Sequence, residues 1–151
     1  MGRWEAGPPR LGRGAQRRTP AESEPWWDFR AAALPPPAPP TFGLLTAGGT
    51  LRLLHDNLAE YRHILPCGTA FALADWTGDG KVSALCSQAG EGDSDSVLID
   101  LPASRDTLRV EGTVLALAAG TPPTGEPSAL VFLRPAGDPG RTEVWLLRRI
   151  R

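Results

Sequence analysis

From Thr41 onward the chain alternates short apolar runs with clusters of Gly, Asp, Asn, Pro and Ser, a rhythm that predicts strands joined by turns. Thr41–Thr46 is the first run and Thr50–His55 the second. Ala47-Gly48-Gly49 lies between them, and its glycine pair supplies the positive φ angles that a tight hairpin needs. Asp56-Asn57 closes that hairpin. A third strand around Tyr61–Leu65 stops at Pro66, which has no N–H to continue a ladder. Thr69–Ala74 and Lys81–Ser87 then flank the turn Asp75–Gly80. After the polar loop Ala89–Ser96, the strands Val97–Leu101 and Thr107–Val110 complete the group.

The pattern then returns. Gly68-Thr69 with Ala72-Leu73-Ala74 is matched by Gly112-Thr113 with Ala116-Leu117-Ala118, and Ser83-Ala84-Leu85 by Ser128-Ala129-Leu130. Ala89-Gly90 is matched by Ala136-Gly137, and Val97-Leu98 is answered by Val144 and Leu146. The period lies in the mid-forties and lengthens along the unit, as loop insertions make it do. Four short strands at that spacing suit a β-propeller blade. The expected fold is therefore all-β, built of repeated four-stranded antiparallel blades of a partial propeller. It occupies residues 41–151: a partial blade at about 41–66 that lacks its first strand, a blade at about 67–110 and a blade at about 111–151. A small β-sandwich is the alternative, because short strands with a turn signal roughly every ten residues suit it too.

Residues 1–40 lack this rhythm. They hold nine of the sixteen prolines and end in Leu34-Pro35-Pro36-Pro37-Ala38-Pro39-Pro40, which favours extended polyproline over helix or sheet. A disordered Pro/Arg-rich segment is expected. The proline run also suits an SH3 or WW domain. Arg3, Arg10, Arg13, Arg17 and Arg18 raise a mitochondrial presequence, against which Pro8, Pro9 and the early glycines break an amphipathic helix. Arg17-Arg18 lacks the apolar segment of a twin-arginine signal. Trp26-Trp27-Asp28-Phe29 stands out as an aromatic cluster that either folds back on the domain or meets a partner.

Composition narrows the function classes. Residues 1–40 carry six basic and four acidic side chains, and residues 41–151 carry ten and thirteen, so no basic face for nucleic acid follows. No apolar run approaches a membrane span, and the N-terminus lacks the apolar core of a secretory signal. A cytoplasmic protein is expected, with Cys67 and Cys86 as small buried hydrophobes carrying reduced thiols.

Asp75-Trp76-Thr77-Gly78-Asp79-Gly80-Lys81-Val82-Ser83 resembles the loop of FG-GAP (integrin-alpha-like) propeller repeats. Asp75 and Asp79 match the first and third oxygen positions of that loop and Gly80 its turn glycine. Thr77 and Ser83 stand where the family favours Asn/Asp and Asp. The resemblance covers Phe42 to Leu147 and implies a propeller and protein contacts. It implies Ca²⁺ at Asp75, Thr77, Asp79 and Ser83 only so far as two carboxylates suffice, whereas Ca²⁺ takes six to eight oxygens with several carboxylates among them. The downstream copy, Ala119 to Gly125, has no acid. The competing reading is a turn in which the Asp side chains bond local N–H groups. An EF-hand is excluded, since its twelfth position would be Cys86.

Catalytic patterns are missing. His55 and His63 are the two histidines, and no nucleophile elbow, phosphate loop or dinucleotide fingerprint occurs. Glu91-Gly92-Asp93-Ser94-Asp95-Ser96 reads as a solvated hairpin tip whose serines lie among acids. Leu147-Arg148-Arg149-Ile150-Arg151 reads as a charged edge strand. The expected function is a non-catalytic protein–protein interaction scaffold, a fragment or short isoform of a larger propeller that a protein partner or the remaining blades complete. A calcium-dependent binding or enzymatic domain at Asp75/Asp79 is the alternative.

Overall fold

The computed structural model describes residues 25–32, 34, 38–120 and 128–148. Among these the protein is all-β, with eleven strands in three antiparallel sheets. The first sheet holds β1 (Trp26–Ala32), β2 (Thr41–Thr46), β3 (Leu51–Leu54) and β4 (Glu60–Ile64), in that spatial order. The second holds β5 (Phe71–Ala74), β6 (Ser83–Gln88), β7 (Ser96–Asp100) and β8 (Arg105–Arg109). The third holds β9 (Gly112–Gly120), β10 (Ser128–Pro135) and β11 (Glu143–Arg148). Each sheet is a meander, because strands consecutive in the chain are neighbours in the sheet.

Two expectations about residues 1–40 and the first unit are corrected. Trp26–Ala32 does not belong to an unstructured segment: it is β1, paired antiparallel with β2 from Trp26↔Thr46 to Ala32↔Thr41. It is the first strand that the partial blade at 41–66 was expected to lack. Its residues hide the strand period because both faces carry bulky or charged groups, and only Ala32 of the seven is buried. Phe29 and Phe42 stack across the pair with centroids 5.4 Å apart, a cross-strand aromatic contact of the kind that stabilises sheets. Arg3, Arg10, Arg13, Arg17 and Arg18, Pro35–Pro37, residues 121–125 of the acid-free copy and the tail 149–151 lie outside the described residues.

The three sheets stack face to face in chain order, and the period of two along each strand shows how. On the second sheet Phe71, Leu73, Ala84, Cys86 and Leu98 pack against Leu45, Leu51, Leu53 and Ile64 of the first. The alternate residues Ala72, Leu85 and Val97 pack against Val114, Leu117, Ala129, Val131 and Leu133 of the third. A sheet covered on both faces loses the polar alternation of a half-exposed one, so β6 is buried at five of its six positions. The first strands of the sheets meet along one side of the stack. There Arg30 of β1 lies over the Phe71 ring of β5 at 5.4 Å and donates to the Leu117 carbonyl of β9 at 3.2 Å.

Close contacts register the layers. A Cβ on Gly43 would stand 2.8 Å from Phe71 Cε2 and 2.9 Å from Leu73 Cδ1, so the first sheet approaches the second as only glycine allows. Cys67 and Cys86 are both 1 % exposed, as expected of buried hydrophobes, but the expectation of free thiols is corrected: they form a disulfide with Cα atoms 5.1 Å apart. The pair is invisible as a motif because its partners are brought together by the β5–β6 hairpin rather than by spacing. Cys67 also donates its N–H to the Gly49 carbonyl, 2.7 Å, which ties the β2–β3 turn to the next sheet.

Candidate functional site

The turn between β5 and β6 is built from its two acids. Asp75 Oδ1 accepts from the N–H of Gly78 (2.8 Å) and Asp79 (3.2 Å), and Asp75 Oδ2 from Gly80 (2.9 Å). Asp79 Oδ1 accepts from Thr77 Oγ1 (2.6 Å) and the Lys81 N–H (3.0 Å). Gly78 and Gly80 take φ of +71° and +78°, which explains glycine at both positions. The hydroxyl of Thr77, then the Lys81 N–H, holds the Asp79 carboxyl below the ordinary carboxylate range.

Of the four residues proposed for a cation, three come together here. Ser83 does not join their hydrogen bonds: it is the first residue of β6, opposite Ala74 at the base of the turn, 1 % exposed, with its Oγ lacking a hydrogen-bond partner among the described residues. The donor set suits the turn better than a hard cation. Three of the four carboxylate oxygens already accept backbone or hydroxyl hydrogens, and no third carboxylate joins them: among the described residues no three His, Cys, Asp or Glu side chains are grouped as metal ligands. The histidines lie elsewhere. His55 stacks on Tyr61 at 4.3 Å, and His63 Nδ1 lies 3.5 Å from Glu60 Oε1 on the first sheet.

A second cluster of charges joins the first two sheets. Asp100, 1 % exposed, meets Arg62 Nη2 from β4 through Oδ1 and Arg105 Nε from β8 through Oδ2, the latter at 2.9 Å. Burial first, and the Arg105 charge second, lowers the pKa of the Arg62 guanidinium. Arg62 also reaches the Leu101 carbonyl at 3.5 Å. With a guanidinium beside each carboxylate oxygen, Asp100 of β7 joins β4 of the first sheet to β8 of the second, and the cluster is a clamp between layers. Asp95 ties the second sheet to the third in the same way, accepting the Val114 N–H at 2.8 Å while its own N–H meets the Gly112 carbonyl.

The third sheet also leaves an apolar face open. The third sheet turns Leu130, Phe132, Val144 and Leu146 away from the core, as the pairings Leu130↔Leu146 and Phe132↔Val144 require. Leu130 is 37 %, Val144 54 % and Leu146 49 % exposed. Leu85 holds the place of Leu130 in the preceding unit, and its pairing with Ile99 corresponds to Leu130↔Leu146. Leu85 is 1 % exposed because the third sheet covers it. The repeat is legible in the sequence and the bare face is not, since a covered and an uncovered sheet carry the same apolar pattern.

Compared with protein-family models, with curated proteins and with solved structures, the chain finds no match.

Proposed function

We propose that the protein is a non-catalytic interaction scaffold of the β-propeller type, whose three sheets serve as blades of a larger stack completed by further β-units or a protein partner. The observation that carries this reading is the outer face of the third sheet. It repeats the apolar pattern of the face that the third sheet itself covers, and adjoining exposed apolar residues of this kind mark interaction surfaces. Three stacked sheets with two end faces are also what a run of blades requires, because each repeat contacts only its neighbours.

The cation-binding reading of Asp75, Thr77, Asp79 and Ser83 draws no support from carboxylates engaged by their own turn. The buried Cys67–Cys86 pair favours a compartment in which thiols oxidise over the cytoplasmic one expected at first. Sedimentation velocity with hydrogen exchange on the isolated chain tests the scaffold. Association that rises with concentration and slows exchange across β10 and β11 is expected. A monomer at every concentration, with third-sheet amides as protected as those of β6, would sink the reading.

A further inference from the structure

Beside the apolar face lies a second feature. The first and second sheets each have four strands, and β4 and β8 cover the outer edges of β3 and β7. The third sheet stops at β11, which occupies the corresponding third place and has no neighbour on its outer side among the described residues. Adjoining it is an open groove of about 510 Å³, with Trp76, Ile99, Leu101, Leu108 and Leu147 on its apolar side and Arg148 facing the polar run Ser104–Thr107 on the other. Ile99 and Leu108 belong to the face of the second sheet that the third sheet covers, so the groove lies where a fourth strand of the third sheet would cover them.

We propose that this edge and groove receive an extended strand from a partner protein, antiparallel to β11. This rests on the scaffold reading and names the kind of partner it takes. The charges of the edge sit at its two ends, Glu143 and Arg148, and the stretch between them is apolar. Glu143-Val144-Trp145-Leu146-Leu147-Arg148 has no proline, no lysine and no bulge against β10, and three of its apolar residues are exposed. The groove sets the side-chain pattern. Leu147 points to the core shared with the second sheet, and Trp145, two residues away, is on the same face. Partner residues opposite them face the groove and are apolar; the residues between face solvent. Arg148 is exposed at the end of β11 and forms no salt bridge among the described residues, although Asp106 lines the same groove, and a carboxylate directly opposite it in the added strand supplies one. The bound segment thus has an apolar residue at every second position and an acid where it passes Arg148. Backbone pairing supplies affinity and the groove supplies selection, as in other strand additions.

The test uses the full chain and the synthetic peptide Glu-Val-Thr-Leu-Thr-Val-Lys, whose antiparallel register sets Glu beside Arg148 and Val and Leu toward the groove. Millimolar peptide slows exchange of β11 amides and leaves those of β1 and β4 unchanged. Strand N–H groups alternate in direction, so N-methylation of one alternating set of peptide residues abolishes the effect and N-methylation of the other set spares it. The reversed order, Lys-Val-Thr-Leu-Thr-Val-Glu, keeps the apolar pattern but sets Lys beside Arg148, and it binds roughly fivefold more weakly at low salt. Unchanged β11 exchange at millimolar peptide overturns the proposal, and so does binding that survives both N-methylated sets. Sedimentation in parallel separates the two ideas. An inert edge on a chain that still associates through Leu130 and Leu146 overturns the strand site alone. An inert edge on a strictly monomeric chain overturns the scaffold with it.

Discussion

At the scale of single residues, the acids of this protein hold backbone and neighbouring sheets, and at Asp79 the titration reports it. Asp79 is fully exposed, yet Thr77 Oγ1 and the Lys81 N–H stabilise its charged form. Its folded pKa lies below the ordinary aspartate value of 3.8, so its contribution to stability is present above that value and fades as pH falls through the lower, folded pKa. Carbon-detected NMR titration is expected to find the Asp79 midpoint below that of a free aspartate, and Thr77→Val to raise it. An unchanged midpoint in Thr77→Val would show that the hydroxyl bond does not form. Addition of millimolar Ca²⁺ should move neither the Asp75 nor the Asp79 resonances, because their oxygens serve the turn.

Asp100 makes the complementary case. Removing Arg62 leaves a buried carboxylate with one partner, and losses on breaking such pairs reach about 3 kcal/mol. Arg105→Ala also leaves Asp100 with one partner, but Arg105 is half exposed and water can take its place, so its loss should be smaller than that of Arg62. Urea unfolding of Arg62→Leu and Arg105→Ala measures both. Equal losses would mean that the Arg62–Asp100 contact does not clamp the first sheet to the second.

Among the strands, the sequence is clearest where a turn announces itself. Thr41–Thr46 is β2 residue for residue, and the runs around Tyr61, Phe71, Val97 and Thr107 fall within a residue or two of β4, β5, β7 and β8. Glycine and aspartate clusters at the corners make those boundaries readable. β1 escapes because it follows no such corner and precedes a proline run, and its pairing with β2 is decided by tertiary contacts such as Phe29 on Phe42. The disulfide escapes for the same reason: pairing depends on the β5–β6 register, in which Cys86 stands opposite Phe71, close to the approach of Cys67. Of the candidate site, the Asp75 turn is legible down to its hydrogen bonds, because such turns are local. The outer face and the free edge of the third sheet are not, since exposure is a property of the assembled layers.

The Cys67–Cys86 bond spans 19 residues. Closing a loop of that size restricts the unfolded chain by about 3 kcal/mol. The double variant Cys67→Ala/Cys86→Ala should lose stability of that order in urea, and the denatured parent protein should show no thiol until a reductant is added. Two thiols in the unreduced, denatured chain would contradict the pairing.

For the whole molecule, the repeat allows one substitution to be made twice in different surroundings. Leu85 and Leu130 occupy the same place in successive units, each in the second strand of its sheet and each directed toward the next layer. The first is sealed under the third sheet and the second is open. Leu85→Asp would bury a carboxylate with no partner, so the native stack should not form; desolvation of an unpaired charge exceeds what a small domain can offset. Leu130→Asp adds a charge to a face already partly wetted, and the isolated chain should still fold with a loss of about 1 kcal/mol from the broken Leu130–Leu146 pair. If that face exists to be covered, Leu130→Asp should instead abolish concentration-dependent association while the chain stays folded. Loss of folding in both variants would mean that Leu130 is covered within the chain, and unchanged association in Leu130→Asp would mean that the stack is joined elsewhere. The contrast separates a face that stabilises this chain from one that serves a neighbour, because sequence and strand position are held fixed and only the covering layer differs.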